Sequence, residues 1–279
     1  MVAADYSIEV VPPAATGKAP ADAFAALSSL HPAFVAVAAY PGVLPPAASV
    51  SLLRAHFAAP LVPHLTSRDT AKAALPSLLD RLQHNGVSHL IVVRGDAGSD
   101  IPAPFDFPYA IDLVTAIRAR WRSGPLRIEV GAHPEGHPEG RGPARETDYL
   151  VRKLDAGADG VITQFGYDAD AVIRLRDRLA AKRAGVPLRA GVLLTTELAV
   201  ISKFAAGSGV SIPKPLRSAL VADRAAADRK HTLAFLAQLV RALFDAGIPP
   251  HLYTMNDADA AHTVLADAGL LHRSAAPTA

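Results

Sequence analysis

Short runs of β-branched and apolar residues recur along this chain, and each is followed by a longer segment whose apolar positions return every three to four residues. A period near two predicts a strand and a period near 3.6 predicts a helix. On that basis strands are expected over 6–11, 33–39, 61–66, 89–96, 127–133, 160–164, 187–194 and 251–256. Helices are expected over 22–30, near 49–57, and over 69–86, 109–121, 145–158, 169–185 and 257–270, with one longer helical region over 196–246. Gly86 closes the third helical segment as a C-cap would.

Eight strand–helix units in 279 residues predict an α/β fold, a (β/α)8 TIM barrel in a single domain over 1–272, with 273–279 as a disordered tail. A doubly wound sheet is the competing arrangement, but no G-x-G-x-x-G follows any of the strands. The Pro-rich pieces "VVPPAA", "YPGVLPPAA" and "IPAPFDFP" each follow a strand, so they read as βα loops and not as linkers.

Composition narrows the chemistry. Half the residues are hydrophobic, 19% are charged and the formal net charge is +2, a balance that names no nucleic-acid partner. With no cysteine, thiolate nucleophiles, disulfides and Cys-ligated zinc are excluded. The first residues lack a signal-peptide pattern and no apolar run is long enough for a membrane span, so a soluble, cytoplasmic protein is expected.

Active sites of such barrels form at the C-terminal strand ends, where eight loops meet over a rigid scaffold. Those ends carry Glu9, His64, Thr66, Arg94, Asp96, His133, Glu135, His137, Gln164, Thr195, Thr196, Tyr253 and Asn256, while the opposite ends are expected to be Pro, Ala, Leu and Val. Glu9 interrupts an apolar strand, where an unpaired carboxylate costs several kcal/mol. Two readings fit: a general acid with a raised pKa, or a carboxylate paired with a nearby Arg or Lys to order the mouth.

The stretch "HPEGHPEG" sets His133 and His137 four residues apart. On a helix that spacing would direct both rings at one metal, but Pro134, Gly136 and Pro138 forbid the helix. Zinc would also want a third protein ligand, for which His64 is the candidate. No metal is therefore expected, and the stretch reads as a shaped βα loop.

Taken in order, several stretches resemble the methylenetetrahydrofolate reductase family. "YSIEVVPP" is similar to the family's "SFEFFPP", "VPHLT" matches its third strand, and "VVRGD" is similar to "ALRGD". "HPEGHPEG" resembles "YPEGHPE", "LVRKLDAGADGVITQFGYD" resembles "LKRKVDAGADFIITQFFFD", and "HLYTMN" is similar to "HFYTLN". The resemblance implies reduction of 5,10-methylenetetrahydrofolate to 5-methyltetrahydrofolate by NADH or NADPH. It implies Glu9 as general acid and Asp96 as the carboxylate that contacts the pterin and stabilises the cation. Gln164 and Tyr253 would join Asp96 in binding folate. His64, Thr66, Arg94, Tyr109, His133, His137 and Lys153 would bind cofactor.

Most of that family holds FAD, and here its pattern is altered. Where the family reads "SVTYGAGG", this chain reads "AVAAYPGVLPP", whose Pro41, Pro45 and Pro46 stiffen the loop and delete amide donors. A small Asn becomes Tyr149, and an aromatic after the seventh strand becomes Leu198. These departures are similar to a flavin-free actinobacterial branch that passes hydride directly from the nicotinamide. Alternatives left open are an FAD-dependent ping-pong enzyme, a non-catalytic folate-binding relative, and a metal-dependent hydrolase using His64, His133 and His137. The partners expected are small-molecule folate and nicotinamide, with no membrane; oligomeric state is not legible.

Overall fold

The computed structural model describes residues 5–14, 20–39, 42–95, 105–121 and 124–271. Its strands are β1 (Ser7–Val10), β2 (Val35–Val37), β3 (Leu61–Thr66), β4 (His89–Val93), β5 (Arg127–Ala132), β6 (Gly160–Thr163), β7 (Leu188–Leu193) and β8 (Pro250–Tyr253). Helices α1 (Ala21–Ser28), α2 (Pro46–Leu53), α3 (Leu75–His84), α4 (Ala110–Arg120), α5 (Pro143–Asp155) and α6 (Ala169–Lys182) follow the first six strands. After β7 come α7 (Leu198–Ser208), α8 (Lys214–Ala226) and α9 (Lys230–Asp245), and α10 (Ala258–Asp267) follows β8. All neighbouring strands pair in parallel, and β8 pairs back onto β1, so the sheet closes into the expected eight-stranded barrel.

Strand β3 has the expected bounds, and the other strands are shorter than the sequence pattern suggests, because pairing ends where loop geometry begins. The single helical region expected over 196–246 is three helices. Gly209 ends α7 in the left-handed conformation, Pro213 and Pro215 set the start of α8, and Ala227 ends it left-handed. The third helical segment starts not at residue 69 but at Leu75, with Pro76 in its first turn.

Alternation along each strand divides the side chains into two sets. One set packs outward against the helices in a large apolar core that includes Ile8, Val10, Leu65, Leu90, Val92, Ile128 and Val130. The other points into the barrel, where Phe34, Ala36, Val62, Ile91 and Ile162 form a small apolar layer. The N-terminal strand ends are not the apolar surface expected. Ser7, His89, Glu129 and His251 are inside them, with Arg127 and Arg189 on the same inward register. Among the described residues no helix is long and apolar enough to cross a membrane.

Candidate active site

Glu9 is the third residue of β1, paired in register with Ala36 of β2 and Tyr253 of β8. Only 14% of its side chain is exposed, and its Oε2 is fully sealed. His64 Nε2 lies 3.2 Å from Oε2 and His251 Nε2 lies 3.9 Å from it. Neither approach is an aligned hydrogen bond, and among the described residues no Lys or Arg pairs with the group. Burial raises the pKa of Glu9, and the charge of His64 only partly opposes this. Of the two readings of Glu9, the one that needs a nearby Arg or Lys finds none among the described residues, and burial raises the pKa of the carboxyl.

The two histidines differ. His251 is completely buried, its Nδ1 sits 2.8 Å from Ser7 Oγ, and burial takes its pKa down to about 3, so it is neutral. His64 keeps 14% exposure, with its Nε2 sealed against Glu9. Burial also lowers its pKa, against an opposing pull from Glu9.

Tyr253 donates its hydroxyl to the Thr163 carbonyl at 3.0 Å and sets its ring edge-on to His251, with centroids 5.0 Å apart. Its fit requires Gly191, since a Cβ there would come within 2.6 Å of the tyrosine ring and 2.5 Å of the Thr163 oxygen. The expected folate ligand Tyr253 thus has its donor engaged within the barrel wall.

The end of β8 also fixes Glu9. Thr254 donates its hydroxyl to the Glu9 carbonyl at 2.7 Å. Asn256 donates to the Val11 carbonyl at 2.8 Å and accepts from the Val11 amide at 2.9 Å. Reaching this position puts Met255 and Asn256 at φ values of 50° and 62°, a left-handed pair that costs free energy, more for Met than for Asn.

A second cluster lies beyond β4 and β5. Arg94 grips Glu139 with both guanidinium arms, Nη1 to Oε2 at 2.7 Å and Nη2 to Oε1 at 3.1 Å, and Nη2 also faces His137 Nε2 at 3.2 Å. The Glu139 amide donates to His137 Nδ1 at 3.0 Å. Both ring nitrogens of His137 therefore face N–H donors. Burial, His133 and Arg94 together lower its pKa. The His133 and His137 rings meet edge-on at 4.6 Å, and buried Glu146 accepts from the His133 amide at 3.2 Å. Lys153 donates to the Gly131 carbonyl at 2.8 Å, and burial lowers its pKa despite nearby Glu146. The loop itself is two turns, with Gly136 at φ 96° packed on the Gly142 backbone, and Glu135 accepts from the Ser211 amide at 3.1 Å.

The remaining expected residues are placed as follows. Gln164 lines a small cleft with His133 and Glu135; its Oε1 accepts from the Phe165 amide at 2.9 Å, leaving its NH2 as the free function. Thr66 is buried beside Gly95, and Tyr109 is 61% exposed ahead of α4. Asp96 and Pro41 lie outside the described residues. Tyr149 does not fill a pocket: it is 45% exposed, with the Arg152 guanidinium 4.4 Å above its ring. Leu198 packs partly buried against the core.

Among the described residues, the one trio whose potential ligand atoms converge is not His64, His133 and His137 but Asp223, Asp228 and His231 at the α8–α9 junction. There Asp223 already accepts from the His231 and Thr232 amides at 2.8 and 2.7 Å and sits 2.7 Å from His231 Nδ1, as a helix cap. Sequence reasoning missed His251, Ser7 and Glu146. His251 stands two residues before Tyr253, so strand parity alone turns both inward.

Comparison with known proteins adds an independent line. A family model described as Methylenetetrahydrofolate reductase matches residues 2–269. The 5,10-methylenetetrahydrofolate reductase of Escherichia coli (strain K12) is 33% identical over 207 residues, covering 72% of this chain and 68% of the relative. That of Pectobacterium carotovorum subsp. carotovorum is 31% identical over 205 residues, covering 72% and 67%. Among solved structures, orotidine 5'-phosphate decarboxylase from Pyrococcus horikoshii OT3 superposes with a TM-score of 0.53 at 12% identity, over 94% of this chain and 99% of that one. At that identity the match speaks for the barrel alone.

Proposed function

The chain belongs to the methylenetetrahydrofolate reductase family and is an oxidoreductase, and from that premise we propose that it reduces 5,10-methylenetetrahydrofolate with hydride taken directly from NADH or NADPH, without a flavin between them. The observation that carries this reading is Glu9, a buried carboxyl with imidazoles and, among the described residues, no Lys or Arg against it. Opening the imidazolidine ring requires a proton on N10, and a carboxyl whose pKa burial raises is suited to supply it. The resulting 5-iminium cation needs negative charge nearby, the role assigned to Asp96 by the "VVRGD" match. Gln164 would present its NH2 to the folate, and the Thr254 and Asn256 bonds would hold Glu9 in place while it acts.

FAD, which the family pattern implies, fits poorly. Pro45 and Pro46 open α2 without amide protons, and the Leu44 amide is engaged by the Pro13 carbonyl at 3.2 Å. Arg94 is held by Glu139 and Lys153 by a backbone carbonyl, so neither cation stands open to a diphosphate. Tyr149 is turned outward and does not fill the flavin side.

The test is an absorbance spectrum of the purified protein followed by an anaerobic assay with methylenetetrahydrofolate and each nicotinamide. A colourless protein that oxidises reduced nicotinamide only when folate is present, with ternary-complex kinetics, is the expected result. Stoichiometric FAD, or nicotinamide oxidation by a quinone without folate, restores the flavoenzyme reading.

A further inference from the structure

Three pieces of chain wall the small cleft into which Gln164 faces. The loops after β5 and β6 supply His133, Glu135, Gln164 and Phe165, and the end of α7 supplies Ser208 and Gly209. The two loops are fastened to the barrel by backbone bonds. The Gln164 amide donates to the Ala132 carbonyl at 2.6 Å, the Gly166 amide donates to the Gly191 carbonyl at 3.0 Å, and buried Glu146 takes the His133 amide.

The third wall is held far less firmly. The α7 sequence LAVISKFAAGS includes Val200 and Gly207, both poor helix formers, and its N-cap Glu197 makes no side-chain capping bond. Only Ile201, Ala205 and Ser208 of its eleven residues are buried. Phe204 stays 40% exposed and meets Phe165 edge-on with centroids 6.4 Å apart. Little burial and weak propensity put such a helix at the low end of local stability.

Its C-terminal end is where the rest of the chain takes hold of it. Gly209 closes α7 at φ 72° and lies against the "HPEGHPEG" loop so tightly that a Cβ there would come within 3.0 Å of Pro138 Cγ. Two residues on, the Ser211 amide donates to both oxygens of Glu135, at 3.1 and 3.3 Å. Among the described residues, Glu135 is the one side chain from outside 195–213 that hydrogen-bonds this segment. Glu9 is clamped from the end of β8 and shares no bond with it.

We propose, resting on the reductase reading above, that Glu135 is a positioning residue for the folate: through the Ser211 amide it holds the end of α7 in place as a wall of the Gln164 cleft. A wall that drifts must be ordered again whenever folate binds, and that ordering is charged against affinity. The proton transfer from Glu9 does not depend on it. Glu135 therefore governs how tightly folate is held and leaves the chemical step alone.

The experiment compares Glu135→Ala and Glu135→Gln with the native protein. Affinity for 5-methyltetrahydrofolate is measured by equilibrium dialysis, KM and kcat in the reductase assay, and hydrogen exchange over 205–213. Alanine removes the acceptor, whereas glutamine keeps one oxygen for the Ser211 amide. If the clasp positions the wall, Glu135→Ala exchanges faster over 205–213. Its folate affinity weakens and its folate KM rises by about three- to tenfold, the range of one ordinary hydrogen bond, while kcat and the nicotinamide KM stay within about twofold. Glu135→Gln stays near native in all of these. Faster exchange in Glu135→Ala with native folate affinity overturns the proposal, because the clasp is then broken without consequence. So does a Glu135→Gln variant as impaired as the alanine one, because the charge and not the bond to Ser211 is then what matters. A native protein that binds no folate fails the reductase reading and this inference with it; the two preceding results fail the inference alone.

Discussion

Two glutamates lie inside this barrel, and their surroundings send them in opposite directions. Glu129, at the N-terminal end and 1% exposed, receives Arg127 Nε at 2.9 Å and Nη2 at 2.6 Å on one oxygen, with His89 Nε2 3.6 Å away. Burial alone would raise its pKa, but the bonds and charges of His89 and Arg127 outweigh burial and lower it. Glu9, near the C-terminal end and 14% exposed, meets imidazoles and Tyr253 but, among the described residues, no guanidinium, and burial wins. A buried carboxyl with a guanidinium is a structural ion. One without it holds its proton to a higher pH.

The change that breaks this comparison most is Glu9→Gln. The amide keeps the volume and cannot release a proton, so turnover should fall by about 10²- to 10⁴-fold, read as kcat, with the thermal midpoint preserved or raised. Near-native kcat would remove Glu9 from the mechanism. Glu129→Gln should do the reverse. It leaves Arg127 and His89 without their counter-charge and should cost about 2–4 kcal/mol in urea unfolding, with kcat per folded molecule little changed; Arg127 is partly exposed, which limits the loss.

The pH dependence of stability sharpens the contrast, because the two groups carry opposite signs. Glu129, lowered from its ordinary 4.5, contributes stability above that value that disappears as the pH falls through the folded value. Glu9, raised from 4.5, keeps a proton that the unfolded chain sheds, so its contribution declines as pH rises from 4.5 toward the folded value. Unfolding midpoints followed across pH should lose their acid-side fall in Glu129→Gln and their rising-pH decline in Glu9→Gln. The same slope in both variants would mean that the two carboxyls are not distinguished.

Smaller still is Asn256→Gly, which preserves the left-handed φ and removes the two bonds to Val11. A loss of about 1–2 kcal/mol is expected, together with a modest drop in kcat from a looser Glu9; unchanged values would show that the clamp is idle. Chelation should have no effect. EDTA inactivation reversed by zinc would revive a metal-dependent reading of the histidines.

The sequence alone determined the barrel, because eight alternations of period two with period 3.6 leave few other ways to bury both kinds of apolar face. It also singled out Glu9, since a carboxyl in an apolar strand departs from its local pattern, and it denied the "HPEGHPEG" loop a helix because of its prolines and glycines. Whether Glu9 was acid or ion-pair partner could not be read from the chain, as that depends on His64 and His251, 55 and 242 residues away, and on whether a cation is near, of which there is none among the described residues. The buried polar end with Glu129 was likewise hidden. Its residues look unremarkable one strand at a time, and only closure of the barrel brings their inward-facing positions together. Local pattern fixes which face a side chain takes, but pKa follows from its neighbours through space, which tertiary structure alone supplies.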